Sequence, residues 1–378
     1  MSTFVKTVES YVQGARTMGR EYYTSPDIYA QEMERIFPTR WLCVGREDQI
    51  ARPGDFFVQE VGAESIIILR DRSGVARAFF NVCRHRGTRI CEAAEGRFSE
   101  TIQCPYHAWT YSTDGRLVGA PHMNEVEGFD KREYPLHPAG LASWHGFLFI
   151  NLSRDPEPLA EALAPLQGRF ERFNIGTLAR VKRIEYDVKA NWKLIFQNYS
   201  ECLHCPTIHP ELSRLMPYTS GANDLIEGPY LGGHMMIAPP NKSMTISGEA
   251  CGVPLGDLSA EEMKRAYYYT IFPNLMLSVH PDYVAYYRVW PLAADRTHIT
   301  CEWLLHPDSA NHPEMSPDGA VEFWDVTNRQ DWHISELSHA GIASRVYAPG
   351  PYSPRESIPA AWDRAYLEAL GGVGRLGS

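Results

Sequence analysis

Apolar and polar residues follow two different rhythms along this chain. From Trp41 to about Asn151, short runs such as FFVQEV, SIIILRD, ARAFFNVC, TIQCPYHAWTY and FLFINL are separated by breakers such as PGD, DRSG and TDG. Runs of this length, rich in Val, Ile, Phe and Thr and closed by Gly, Pro and Asp, predict strands joined by turns, hence a small antiparallel β domain. Ahead of it, Pro26–Phe37 reads as a helix with Ser25 as its cap and Pro26 in its first turn. Behind it, SRDPEPLAEALAPL is a proline-marked linker entering a short helix.

The second half changes period. Trp192, Ile195, Phe196 and Tyr199 recur at steps of three and four, the spacing of an amphipathic helix, which Pro206 and Pro210 are expected to kink or end. A second helical segment, VEFWDVTNRQDWHISELSHAGIASR, lies near the carboxy terminus. Between them MMIAPP, TIFPNLMLSV, VAYYRVWPLA and THITCEWLLHP read as strands. The fold class is therefore α+β. At 378 residues the chain exceeds one ordinary core, so more than one domain is expected. The boundaries read as 1–40 for an amino-terminal helical segment, 41–155 for the β domain and 156–378 for the rest.

Composition narrows the functional classes. A hydrophobic fraction of 44% with 22% charged residues describes a packed globular protein rather than a disordered one. A net charge of -10 disfavours a nucleic-acid surface, since phosphate binding relies on clustered Lys and Arg. Small molecules and proteins are the expected partners. The first residues lack a secretory pattern and no stretch approaches the ~20 apolar residues of a membrane helix, so a cytoplasmic, membrane-free protein is expected. Eight cysteines are too sparse for a disulfide scaffold, and four stand beside histidines, which favours reduced thiols and metal ligands.

Within the β domain, Cys83-Arg-His85 and Cys104-Pro-Tyr-His107 are separated by eighteen residues. Two hairpin tips, each giving one Cys and one His, suit an asymmetric [2Fe-2S] cluster in which thiolates hold one iron and imidazoles the other. A structural zinc site would use the same atom types, but the one-residue gap between Cys83 and His85 is tighter than zinc-finger spacing, and RHRGTRI adds a tight turn. Cys43 and Cys91 read as buried small hydrophobes, and His122, His137 and His145 as turn or surface residues.

The second constellation is ECLHCPTIHPEL. Glu201 and His204 are three apart and share a helical face; His209 lies five further and would point elsewhere unless the chain breaks at Pro206. Two imidazoles near a carboxylate suggest the facial triad that holds ferrous iron and leaves positions open. The carboxylate must come from the carboxy-terminal segment, where Glu322, Asp325, Asp331 and Glu336 are available. Asp325 also reads as a first-turn acid favoured by the helix dipole. Cys202-Leu-His-Cys205 is formally a CxxC pair, a redox dithiol or half a zinc site in other settings, but no thioredoxin-like βαβ unit surrounds it and no second CxxC completes a cage.

NVCRHRGTRIC and CPYHAWTYSTDGRL resemble the two Rieske boxes of the ring-hydroxylating oxygenase family, and ECLHCPTIHP and QDWHISELSHAG resemble its catalytic segments; the resemblance spans Trp41 to Arg345. It implies a Rieske antiparallel β domain followed by a helix-grip (START-like) catalytic domain. It also implies that Cys83 and Cys104 bind one cluster iron and His85 and His107 the other, at its exposed end. His204, His209 and Asp331 would hold a mononuclear Fe(II), with Asp325 in reserve. Glu201 would bridge the two centres across a subunit boundary of a homotrimer, and Asn198 would stand near the iron without ligating it. Electrons would come from NAD(P)H through a separate flavin and iron–sulfur reductase, since no dinucleotide-binding fingerprint occurs here, and O2 would be the co-substrate. The branch of closest look contains glycine betaine, proline betaine, carnitine and choline monooxygenases, which implies hydroxylation or oxidative N-demethylation of a small quaternary ammonium compound. Tyr267, Tyr269, Tyr283 or Tyr286 are candidates for an aromatic cage around that cation. Oxidation of an aromatic acid is the rival enzyme reading, and a Rieske electron carrier the non-enzyme one; the carrier leaves the second constellation without a purpose.

Overall fold

The computed structural model describes residues 12–312 and 314–371. The chain divides into two units, Phe37–Leu163 on one side and Met1–Ile36 with Ala164–Ser378 on the other.

The first unit is built from ten short strands: β1 (Leu42–Arg46), β2 (Asp55–Val61), β3 (Glu64–Arg70), β4 (Ala76–Phe80), β5 (Glu95–Arg97), β6 (Thr101–Gln103), β7 (Thr110–Ser112), β8 (Leu117–Gly119), β9 (Gly140–Trp144) and β10 (Phe147–Asn151). They form three antiparallel sheets in the orders β1-β10-β9, β4-β3-β2-β5 and β6-β7-β8. The run Ile66–Leu69 is fully buried, which is why it reads as continuous apolar text rather than alternation. Cys43 and Cys91 are buried as expected. His122 and His145 occupy left-handed turn positions, and His137 is exposed.

In the second unit, seven antiparallel strands follow: β11 (Ala179–Val188), β12 (Ala222–Leu225), β13 (Tyr230–Met236), β14 (Arg265–Ile271), β15 (Leu275–Val279), β16 (Tyr283–Ala293) and β17 (Arg296–Leu305). Their order is β11-β17-β16-β15-β14-β13-β12. TIFPNLMLSV, expected as one strand, is a hairpin: Pro273 falls between β14 and β15, where a residue without an N–H cannot extend a ladder. The helix Asp318–Ile342 crosses this sheet. Trp324 Nε1 donates to Tyr283 Oη at 2.6 Å, Asn328 Nδ2 to Tyr186 Oη at 3.3 Å, and the Trp332 ring meets Tyr186 edge-on at 6.0 Å. Those steps of four trace one helical face, the side that must be apolar or satisfied when a helix lies on a sheet. The result is the expected α+β, helix-grip architecture.

The amino-terminal segment differs from the expectation, which set 1–40 apart. Its first eleven residues lie outside the described residues, and the rest up to Ile36 belongs to the second unit. The helix Pro26–Arg35 starts as predicted, Ser25 Oγ accepting from Ile28 N. Its Glu32, wholly buried, accepts from the Lys193 ammonium, from Trp192 Nε1 at 2.8 Å and from Tyr366 Oη at 2.6 Å. Nothing in the sequence near Glu32 announces these partners. A buried carboxylate with three such neighbours depends on them, because each charge has lost its water. Burial alone pushes the Lys193 ammonium down, and Glu32 counters it.

Candidate metal centres

The two Cys-His loops of the first unit share one backbone frame. Cys83 N–H donates to Thr88 O (2.8 Å) and Gly87 N–H returns to Cys83 O (3.0 Å); Cys104 N–H donates to Trp109 O (2.8 Å) and Ala108 N–H returns to Cys104 O (3.2 Å). The fifth residue of each loop is left-handed, Gly87 at φ 74° and Ala108 at φ 55°. In the first loop glycine takes that position without strain. The frame puts both sulfurs inside and both imidazoles outward: Cys83 and Cys104 are 3% and 2% exposed, whereas His85 is exposed and His107 half-buried. The rings stand 4.8 Å apart at 75°, and Trp109 stacks under His85 at 4.9 Å. Tyr111 Oη lies 3.4 Å from Cys83 Sγ and accepts from Arg84 N at 3.0 Å. Burial pushes the Cys104 thiol up, as it does for any thiol taken out of water. His107 Nδ1 is buried with no hydrogen-bond partner, a cost that a metal bond removes. Two thiolates and two imidazoles are the donor types of an asymmetric two-iron cluster; among the described residues, the three donor atoms that converge within 4.8 Å lie in the second unit.

In the second unit the helix Trp192–Tyr199 begins at an Asn191 cap and buries Trp192, Ile195 and Phe196. It ends before Glu201, so Glu201 and His204 meet in a non-helical loop instead of on a helical face. Pro206 and Pro210 start short helices, Cys205–Ile208 and Pro210–Leu215, where a missing N–H costs nothing; they do not end the preceding one. His209 is the joint between the two, and this bend returns it to His204: the rings are 5.2 Å apart.

Asp331, in the middle of the long helix, faces both. Its Oδ1 lies 2.8 Å from His209 Nε2 and 3.3 Å from His204 Nε2, and the three donor atoms fall within 4.8 Å of one another. The opposite ring nitrogens are held: His204 Nδ1 donates to Glu201 Oε1 at 2.5 Å, and His209 Nδ1 to Gln330 Oε1 at 2.7 Å. Both Nε2 atoms are thereby turned toward Asp331, the orientation such outer contacts give to metal-binding histidines. Glu201 is further fixed by the Leu203 N–H. Burial would lower the His204 imidazolium, but Asp331 and Glu201 outweigh it and hold it up at about 10; the two imidazoles in turn hold Asp331 below its ordinary value despite burial. The field at this point favours a cation, and two nitrogens with one carboxylate on one side fit ferrous iron.

Asp325, the reserve ligand, points elsewhere: it accepts from Tyr186 Oη at 2.8 Å and pairs with Arg329 at 3.0 Å. Nor is it a first-turn acid, since the helix begins at Asp318. Glu336 caps Lys189 N. Gln330 was invisible to sequence reasoning, because nothing in its neighbourhood reveals a partner over a hundred residues away.

A pocket opens beside the three donors. Asn198, Tyr199, Leu212, Met216, Tyr268 and Trp324 line it, with Thr327, Met235 and the Glu201–His209 loop. The expected tyrosines do not. Tyr267 and Tyr269 pack on Phe173 and Phe170, Tyr283 bonds Met244 O and Tyr286 bonds Glu302. Successive residues of a strand face opposite ways, so in the triplet Tyr267-Tyr268-Tyr269 the middle one faces the pocket and its neighbours face away. Cys202 and Cys205, expected as reduced thiols, are joined by a disulfide; three residues of separation and a turn bring the two sulfurs together.

Residues 40–130 match the Rieske [2Fe-2S] domain family and residues 175–372 the catalytic domain of the ring hydroxylating alpha subunit family. The chain belongs to the ring-hydroxylating oxygenase alpha-subunit family. It is a Rieske non-haem iron oxygenase, whose cofactors are a Rieske cluster and a mononuclear iron and whose electrons come from a reductase. It is 32% identical to the glycine betaine monooxygenase oxygenase subunit of Chromohalobacter salexigens, over 90% of this chain and 82% of that protein. It is 38% identical to the carnitine monooxygenase oxygenase subunit of Acinetobacter baumannii over 52% of this chain and 53% of that one. The crystal structure of the quaternary ammonium Rieske monooxygenase CntA in complex with L-carnitine superposes with a TM-score of 0.77 at 26% identity, covering 94% of this chain and 96% of that one. No helix among the described residues is long and apolar enough to cross a membrane.

Proposed function

We propose that this oxygenase hydroxylates or oxidatively N-demethylates a small quaternary ammonium compound. One observation carries the reading: the pocket beside His204, His209 and Asp331 is walled by the rings of Tyr199, Tyr268 and Trp324 and contains two carboxylates but, among its described lining residues, no Lys or Arg. Aromatic faces and negative charge attract a cation whose methyl groups cannot hydrogen-bond. An aromatic acid would find no Lys or Arg among the described lining residues to pair with its carboxylate, and two carboxylates to repel it. The relatives named for betaine and carnitine point the same way.

In this reading Cys83, Cys104, His85 and His107 hold the cluster, and His204, His209 and Asp331 hold the iron. When bound, these groups deliver single electrons and activate dioxygen. Tyr199, Tyr268 and Trp324 seat the cation so that one methyl or methylene faces the iron position, and Asn198 offers a polar contact at the pocket wall. Glu201 orients His204 and links it to a cluster histidine of a neighbouring subunit in a cytoplasmic homotrimer, with a flavin and iron–sulfur reductase oxidising NAD(P)H.

The test is a screen with purified reductase, betaines against aromatic acids, scored by substrate-dependent oxygen uptake and formaldehyde release. Quaternary ammonium compounds are expected to stimulate uptake, with formaldehyde appearing where an N-methyl group is lost. Stimulation by aromatic acids alone would overturn the proposal, and a light-scattering mass other than a trimer's would remove the inter-subunit role of Glu201.

A further inference from the structure

The Cys202–Cys205 disulfide encloses a metal-site residue. The ring it closes contains His204, both half-cystines line the pocket, and Cys205 Sγ stands 3.9 Å from His204 Nε2, the nitrogen that faces Asp331. The disulfide ties the turn after the helix Trp192–Tyr199 to the first residue of the helix Cys205–Ile208. Apart from the disulfide, this segment is held by the Glu201 carboxylate on Leu203 N and His204 Nδ1, by a backbone bond from Cys205 N to Cys202 O, and on its far side by bonds from Thr207 N and Ile208 N to His204 O and from His209 N to Cys205 O.

We propose that Cys202 and Cys205 are a redox-active pair whose state sets how firmly the iron is held. The inference rests on the assignment of His204, His209 and Asp331 as the iron site. Closing the pair removes freedom from the His204 arm. Opening it loosens the arm that carries His204.

The enzyme's own chemistry supplies the oxidant class. When dioxygen takes up two electrons and two protons without entering substrate, hydrogen peroxide leaves; it then accepts two electrons and two protons from the thiol pair, forming one S–S bond and two waters. A dithiol reverses this. One of its sulfurs attacks Cys202, which is half-buried where Cys205 is 4% exposed, and Cys205 departs as a thiol. The second sulfur of the reductant then displaces Cys202 and leaves as a cyclic disulfide. Loss of substrate coupling would thus be recorded in the wall of the pocket where it happens.

The experiment uses the full chain with its cluster intact. Cysteines are first mapped by alkylation and mass spectrometry in aerobic, peroxide-treated and dithiothreitol-treated protein; Cys202 and Cys205 are expected to resist labelling in the first two and to label together in the third. Fe(II) is then titrated, by chelator competition, into protein stripped of mononuclear iron, comparing the oxidised form, the reduced form after anaerobic removal of dithiothreitol, and the C202S/C205S variant. Affinity is expected to fall about tenfold on reduction, the scale of losing an outer contact, and the variant is expected to show the reduced value with or without dithiothreitol. Free labelling of both cysteines after peroxide, or equal Fe(II) affinity of oxidised and reduced protein, would overturn the switch. Asp331→Ala separates this from failure of the site itself: if that variant binds Fe(II) as wild type does, the iron assignment is wrong, whereas if it loses the metal and redox state has no effect, only the switch is wrong.

Discussion

The two proposed metal centres would hold iron in opposite ways. In the first unit the four proposed ligands sit in two loops with a shared hydrogen-bond frame, each closed by its own backbone. In the second, two histidines lie in a broken segment and the carboxylate comes from a helix more than a hundred residues later, and the side chains of Glu201, Gln330 and Asp331 join these distant pieces. The first arrangement is rigid because it is local. The second depends on the whole unit being folded, and in exchange it leaves one side open to a pocket.

That contrast makes separate failures observable. Asp331→Ala is expected to abolish mononuclear iron binding and lower product formation by at least about a thousandfold, since a ligand and the charge opposite two imidazoles go together. The Rieske absorption spectrum would persist, whereas Cys104→Ala would remove it; loss of both signals in either variant would mean the centres are not independent. Glu32→Ala comes next. It strands the Lys193 ammonium without its partner and is expected to destabilise the second unit by about 3 to 5 kcal/mol, measurable by denaturant titration, with no change in the cluster spectrum of protein that remains folded.

A pH effect of similar size is expected at Asp363, which accepts from Gln197 and Tyr352 and whose carboxyl burial pushes up to about 7. A raised carboxyl stabilises the fold fully below its unfolded value near 4, and the benefit is lost as pH climbs to about 7. Asp363→Asn, which cannot ionise, should therefore gain stability relative to wild type between pH 5 and pH 8, by up to about 4 kcal/mol; thermal melts that move in parallel over that range would contradict the assignment. Gln330→Leu is milder: His209 loses its Nδ1 acceptor, and Fe(II) affinity should drop about 10- to 100-fold. Smallest of all, Asp325→Asn should leave Fe(II) binding within about twofold, because that carboxylate faces Tyr186 and Arg329.

What sequence could reveal follows the same division. Residues close in the chain carry their placement in their spacing, so the meeting of the two Cys-His loops, and nearly so that of His204 with His209, was legible. The strands and the long helix were likewise legible from period. Choices that depend on which way a residue faces were harder. Asp331 and Asp325 differ by six positions on one helix, and only the resemblance separated them; in the run Tyr267-Tyr268-Tyr269 no polar partner marks the inward residue. The prolines after Glu201 were misread because proline breaks a helix from within and begins one at its edge, and local text does not say which. Gln330 and Glu32 owe their roles to partners distant in sequence, and no periodicity points to them.

The pairing of β1 with β10 has a practical corollary. Chain enters the first unit just before one of these strands and leaves just after the other, and Leu152 N donates to Pro38 O at 3.1 Å. Entry and exit therefore emerge side by side, as in an insertion that a host protein tolerates. That strand pair closes residues 38–152 into one loop of chain, the arrangement that makes a domain separable from the sequence around it.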